Sequence, residues 1–304
     1  VPVICPLTGV ETSKEFDIDR PALGVKIENS TKSRPQAGLE HADIVYEELA
    51  EGGVTRFLAM FHCSDADPLG PVRSARMVDP DILLEYAPVL FAFSGGNPLV
   101  KEKISRTPGI TALRHGNHGE AYRREKGRPA PSDLFSTTQK LRELSDASSV
   151  RGAPKSGLIL KAAEPLPAGA AVTATVQFDY SGKTNAVKYT FDAASNSYLR
   201  SHGETPHVSV TGAQLSATNV VLLKVRVTQG TIRDAAGNFS PEIAVVGEGE
   251  AVVVYAGRSF TGTWKRPSLS AKTQLFDATG RPITLIPGRT WIHLIPQERK
   301  VTLS

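Results

Sequence analysis

Three carboxylates and one guanidinium fall within the twelve residues YEELAEGGVTRF: Glu47, Glu48 and Glu51 precede Gly52-Gly53, and Arg56 follows. Carboxylates so placed can divide acid and base roles across a glycosidic bond, where their separation sets the stereochemistry. They can equally form a structural ion-pair network with the arginine, which also perturbs pKa values. A Gly-Gly dipeptide suits a two-residue turn. That turn pairs Glu51 with Val54, Leu49 with Arg56 and Glu47 with Leu58. Side chains alternate along a strand, so Glu47, Glu51 and Arg56 share a face with Val45, Leu49, Leu58 and Met60. Glu48 falls on the other face with Tyr46, Phe57 and Phe61. Both faces mix charge with apolar side chains, unlike a plain solvated hairpin.

Further candidates lie downstream. GPVRSAR offers Arg73 and Arg76, two guanidinium groups able to clamp a carboxylate or phosphate, or to pair with Asp79, Asp81 or the glutamates. Glu47, Glu51, Arg56, Arg73 and Arg76 are expected to converge, with no charged pair beyond about 10 Å, one Debye length at 0.1 M salt. FSGGN places two glycines and Asn97 where a strand gives way to a helix, so free backbone N–H groups there can meet an anion or merely form a tight turn. RHGNHGE holds His115, His118 and Glu120, but without helical H-E-x-x-H context it reads as loop histidines contacting substrate or backbone, with no metal. No cofactor motif is present, and no G-x-S-x-G elbow marks a serine hydrolase.

The elements that must position these groups follow from pattern. ALGVKIEN, ADIVYEELAE, VTRFLAMFHC and PVLFAFSGG read as strands, and DPDILLEYA, NPLVKEKIS and STTQKLRELSDAS as helices, with Asp79 and Asn97 as N-caps before Pro80 and Pro98. Past an Ala/Gly/Pro-rich stretch near 154–171, short β-type runs alternate with turn clusters such as SGKTN and DAAGN. The expected architecture is α+β: a mixed N-terminal domain over 1–155 and a β-rich, mainly antiparallel C-terminal domain over 156–304. Trp264 and Trp291 lie in β-type runs and read as structural.

Composition narrows the class. With 304 residues, 40% hydrophobic and 22% charged, the chain is globular, and no apolar run reaches the roughly 18 residues of a membrane helix. The N-terminal VPVICPLTGVETSKEF has no basic n-region and no long apolar stretch, so a signal peptide is absent or removed. The excess of 35 Lys+Arg over 31 Asp+Glu is spread out, and its densest run, YRREKGR, has no interleaved aromatics; nucleic acid is not an expected partner. The two cysteines, Cys5 and Cys63, form no CxxC and fit two buried thiols or one bridge. The scarcity of cysteine and methionine leans toward an exported protein.

The blocks PLTG, RPALGVKIENSTKSRPQAGLEHADIVYEELAEGGVTRFLAMFH, GPVRSAR, FSGGNP, VGEGEA and PGRTWIHLIP together resemble the YerB family of bacterial envelope lipoproteins and secreted proteins, across nearly the whole chain. The resemblance implies export, two domains and, at most, membrane attachment through an N-terminal lipid anchor now removed; it implies no established reaction. Positions matching the family's charged motif are Glu47, Glu48, Glu51, Arg56, Arg73 and Arg76. Where relatives tend to carry a histidine, this chain reads APSDLF, with Ser132 and Asp133, so no role for that histidine carries over. An extracytoplasmic location implied by the resemblance makes a Cys5–Cys63 disulfide the expected pairing. The functional expectation is an envelope protein that binds a cell-wall glycan, an anionic polymer or a protein partner through the Glu/Arg cluster. The alternative is a glycan-directed hydrolase using Glu47, Glu48 or Glu51 as acid and base, against which stands the shortage of sugar-stacking aromatics. Nothing in the sequence fixes an oligomeric state.

Overall fold

The apolar run ALGVKIE becomes strand β1 (Ala22–Glu28), buried at all seven positions. The glutamate-rich segment makes β2 (Ile44–Leu49) and β3 (Thr55–Phe61). Helix α1 (Asp79–Leu83), strand β4 (Val89–Phe93), helix α2 (Pro98–Arg106), strand β5 (Ile110–Arg114) and helix α3 (Thr138–Asp146) follow. Asn97 caps α2 as expected, its side chain accepting from Leu99 N at 3.0 Å. Asp79 does not cap α1. Val78 holds that position, and the Asp79 carboxylate accepts from Arg76 N at 2.6 Å.

The second half is built of strands: β6 (Thr175–Phe178), β7 (Val187–Asp192), β8 (Ser197–His202), β9 (Asn219–Val225), β10 (Val227–Arg233), β11 (Phe239–Ile243), β12 (Gly247–Tyr255), β13 (Arg258–Arg266), β14 (Thr290–Pro296) and β15 (Val301–Leu303). This computed structural model describes residues 2–146, 150–161, 166–182, 186–234 and 237–304. The end of the helix expected over STTQKLRELSDAS, part of the Ala/Pro-rich stretch, and parts of SGKTN and DAAGN lie outside the described residues. The fold is α+β, with mixed and antiparallel sheets.

One sheet of eleven strands runs through both halves of the chain, in the order Ala171–Val172, β13, β12, β9, β14, β2, β3, β1, β4, β5, with Gln274–Asp277 beside β13. Strand β14 is the seam. It pairs in parallel with β9 on one side and β2 on the other, setting Trp291 opposite Val45 and His293 opposite Glu47. A strand covered on both faces and both edges is largely apolar, and TWIHLIP is buried at all seven positions, including its polar Thr290 and His293. One face of the sheet packs against α1 and α2. The other packs against α3 and a smaller sheet ordered Thr205–Pro206, β8, β7, β6, β15. Trp264 and Trp291 are both buried in these cores. Trp264 Nε1 donates to Lys224 O at 2.9 Å, and Trp291 packs edge-on against Phe57.

Cys5 and Cys63 are bonded, with Cα atoms 5.9 Å apart and a sequence separation of 58. Closing a loop of that size restricts the unfolded chain, so a Cys5→Ser/Cys63→Ser variant is expected to lose roughly 2–4 kcal/mol in urea unfolding. A loss below about 0.5 kcal/mol, within the scatter of an ordinary surface change, would mean that the bridge does not restrict the unfolded chain appreciably.

Candidate functional site

The turn joining β2 to β3 is longer than two residues. Ala50 N donates to Val54 O, and Glu51–Gly53 form a single tight turn with Gly52 in the left-handed region at φ 69°. Pairing moves by one residue, so Glu48 faces Arg56 and Glu47 faces Phe57. A one-residue slip exchanges the two faces of a strand. Arg56 therefore shares a face with Glu48, and Glu47 lies on the opposite side of the sheet.

On the Arg56 side a cavity of about 560 Å³ opens between β3, the GPVRSAR segment, the start of α2 and the β10–β11 hairpin. Arg56, Arg73, Arg76, Glu51 and Asn97 border it, as do Glu28 and Arg233. Most charges here are matched. Arg76 pairs with Glu51, whose other oxygen accepts from Ser240 Oγ. Burial works against the Glu51 charge, but Arg76 and the serine hydroxyl hold its carboxyl below the usual range. Arg73 Nε lies 3.4 Å from Glu28 Oε2, and Glu28 also accepts from Ser132 Oγ at 2.8 Å and Ser30 Oγ at 2.9 Å. The exposed Arg233 donates to Gly237 O and stacks on Phe239, and Arg56 is the buried exception. It is only 8% exposed, makes no ion pair among the described residues, and donates from Nη1 to Ser74 O at 2.6 Å. Burial, then repulsion from Arg76 and Arg73, pushes its pKa down to about 9, leaving it charged at neutral pH.

Behind this cavity wall lies a buried triad. Lys26 bridges Glu48 and Asp79, with Nζ 2.7 Å from Asp79 Oδ1 and every side chain sealed from solvent. Because Asp79 also accepts from Arg76 N, the triad fixes the backbone that presents Arg76.

Glu47, expected with the arginines, sits apart in a second network. Its Oε2 pairs with Arg200 Nη2 at 2.9 Å and lies 3.3 Å from His293 Nδ1, while Oε1 accepts from Thr55 and Asn29 at 2.7 and 3.1 Å. Arg200 stacks over Trp291 and Phe57 and reaches His207 and His202. Those imidazoles border a cavity of about 710 Å³ shared with Arg34. Burial, then the Arg200 and Arg34 charges, lowers His202 to about 2, and the same causes lower His207. Sequence reasoning missed Arg200, which lies 153 positions from its partner; its place in an alternating β run is the only local hint of burial.

Models of a protein of unknown function match the chain in two blocks: the DUF3048 N-terminal domain over residues 7–151 and the DUF3048 C-terminal domain over residues 175–292. The chain belongs to the DUF3048 family. It is 26% identical over 303 residues to the "Putative lipoprotein YerB" of Bacillus subtilis (strain 168), covering 98% of this chain and 88% of that protein. The crystal structure of YerB from Bacillus subtilis superposes with a TM-score of 0.83, at 24% identity over 99% of each chain, and so shares the fold.

The arginine cavity draws on both DUF3048 blocks, since Arg233 and Ser240 come from the second. Ser132, at the departure noted in APSDLF, orients Glu28 beneath Arg73, while Asp133 pairs with Arg124 at 2.7 Å. His115 and His118 lie outside the cavity. The His115 ring packs edge-on against Tyr122, and His118 Nδ1 is 3.7 Å from Glu120. Among the described residues, no helix is long and apolar enough to cross a membrane.

Proposed function

We propose that this chain is an extracytoplasmic envelope protein whose arginine cavity holds an anionic group, phosphate or carboxylate, of a cell-wall polymer. The observation that carries this reading is Arg56: a buried guanidinium facing an open cavity, with no ion pair among the described residues and only the more distant charges of Glu51 and Glu28 to offset it. An unpaired buried charge costs several kcal/mol unless an opposite charge or water compensates it. An anion fills that role well, because the planar fork binds two oxygens at once. The α2 N-terminus at Asn97 adds a favourable dipole. The disulfide and the lipoprotein named among the relatives support an extracytoplasmic location. Binding is favoured over hydrolysis because Glu47 and Glu48 are 1% and 0% exposed and tied to Arg200 and Lys26, while Glu51 is held by Arg76.

The test is retention and cleavage on poly(glycerol phosphate), a uronic acid polymer and neutral N-acetylglucosamine oligomers. A polyanion is expected to bind, with affinity falling as salt rises. Arg56→Gln is expected to weaken that binding more than about tenfold, the equivalent of one charged hydrogen-bond pair, with no bond cleaved. Salt-insensitive binding of the neutral oligomer, or unchanged binding by Arg56→Gln, overturns the reading. Cleavage that disappears with Glu51→Gln would return the site to the hydrolase class.

A further inference from the structure

Away from the arginine cavity, the disulfide has a third neighbour. The Nδ1 atom of His62 lies 3.2 Å from Cys63 Sγ, and one donor atom from each of Cys5, His62 and Cys63 lies within 4.8 Å of the others. The His62 tautomer follows from its far side. Nε2 faces two backbone carbonyls, Ile18 O at 3.2 Å and Arg20 O at 3.0 Å. Carbonyl oxygens only accept, so Nε2 carries the proton and Nδ1 presents its lone pair to the sulfur. A disulfide sulfur has no hydrogen to give. The ring is fully buried, so His62 is a sealed imidazole whose Nδ1 lone pair meets no donor. An imidazole whose N–H is anchored on carbonyls while the other nitrogen is aimed outward is the arrangement of a metal-ligating histidine.

We propose that reduction of the Cys5–Cys63 bridge converts this corner into a binding site for a thiophilic divalent cation of the zinc class, held by Cys5 Sγ, Cys63 Sγ and His62 Nδ1. The disulfide takes two electrons and two protons from a dithiol reductant, which is itself oxidised to a disulfide. The cation then displaces the two thiol protons. Two thiolates and a dication give a neutral cluster, and a water completes a tetrahedron, as in three-ligand zinc sites.

The ligands are held in place independently of the sulfur–sulfur bond. His62 N and Cys63 N both donate to Asp43 Oδ2, at 2.5 and 2.9 Å. Cys5 belongs to a closed turn, with Cys5 N donating to Val10 O and Gly9 N to Cys5 O. That turn stays docked through buried Leu7 and the bond from Gly288 N to Thr8 O at 2.8 Å. Cys63 is partly exposed and gives the cation a way in.

The experiment titrates the full chain with Zn²⁺ and Co²⁺, before and after reduction by a phosphine, while circular dichroism follows the fold. One cation per reduced chain is expected, and none per oxidised chain. The Co²⁺ form is expected to show thiolate-to-metal charge transfer and tetrahedral d–d bands. Cys5→Ser/Cys63→Ser is expected to bind no cation at this site, and His62→Ala to bind more than about tenfold more weakly, since even outer-shell changes cost that much. Reduced chain that binds no more metal than the double-serine variant, or Co²⁺ spectra without a thiolate band, sinks the proposal. So does a reduced chain that unfolds and is not refolded by Zn²⁺. Equal affinity in His62→Ala removes the histidine from the site.

Discussion

An Arg200→Met chain is expected to unfold about 3–5 kcal/mol more readily than its parent, because the substitution strands a buried carboxylate. Arg200 is sealed from solvent and is the full positive charge against Glu47. Burial alone would raise the Glu47 carboxyl; Arg200 and then the His293 hydrogen bond overcome it and hold it well below the usual range. The sign of the pH dependence follows. In the parent, the Glu47 contribution is complete above the unfolded carboxyl value, about 4.3, and is lost as pH falls through the depressed folded value. In Arg200→Met the opposing charge is gone, burial dominates, and the folded chain binds the extra proton. Stability of the variant then rises as pH drops from 7 toward 5, a range over which the Glu47 contribution in the parent is flat. Urea unfolding at both pH values checks this, and Arg200→Met/Glu47→Gln is expected to recover much of the loss. A deficit under about 1 kcal/mol, the level of an exposed pair, would show that the network is not what holds β8 to the main sheet.

The second large effect is expected at Lys26→Met, again roughly 3–5 kcal/mol. Lys26 stands between Glu48 and Asp79 with all three side chains unexposed. One ammonium already serves two carboxylates, and burial pushes the Glu48 carboxyl up despite the pull of Lys26, with a further push from Asp79. Removing the cation leaves two like charges in a dry site, of which one must take a proton. Thermal unfolding is expected to show the loss shrinking on acidification, and Lys26→Met/Glu48→Gln to regain more than half of it. If Lys26→Met alone leaves the melting temperature unchanged, the triad is not a charged one.

The sequence marks the strands of this fold well where burial on both faces forces largely apolar runs, as in ALGVKIE and TWIHLIP, and marks Asn97 as a cap because Pro98 follows it. Convergence of Glu51, Arg56, Arg73 and Arg76 was legible too, since the motifs carrying them are short and close in sequence. Glu47 was misplaced for a specific reason. Gly52-Gly53 suits a two-residue turn, but Ala50 to Val54 form a longer one, and the one-residue slip carries Arg56 to the face of Glu48. No local pattern encodes which distant basic residue meets a buried carboxylate. Lys26 inside an apolar strand was the readable signal for Glu48, whereas Arg200 is brought to Glu47 only by the packing of β8 over the sheet.

The seam strand β14 also sets the order in which this chain can mature. His293 pairs with Glu47 across 246 residues, so the partner of β2 is made long after β2 itself. At 5–20 residues per second, roughly 10–50 s pass between synthesis of β2 and arrival of β14. For that interval β2 presents a bare hydrogen-bonding edge rich in Ile, Val and Tyr, the kind of edge that recruits other strands. The N-terminal half therefore cannot reach its final form before residue 296 has been made.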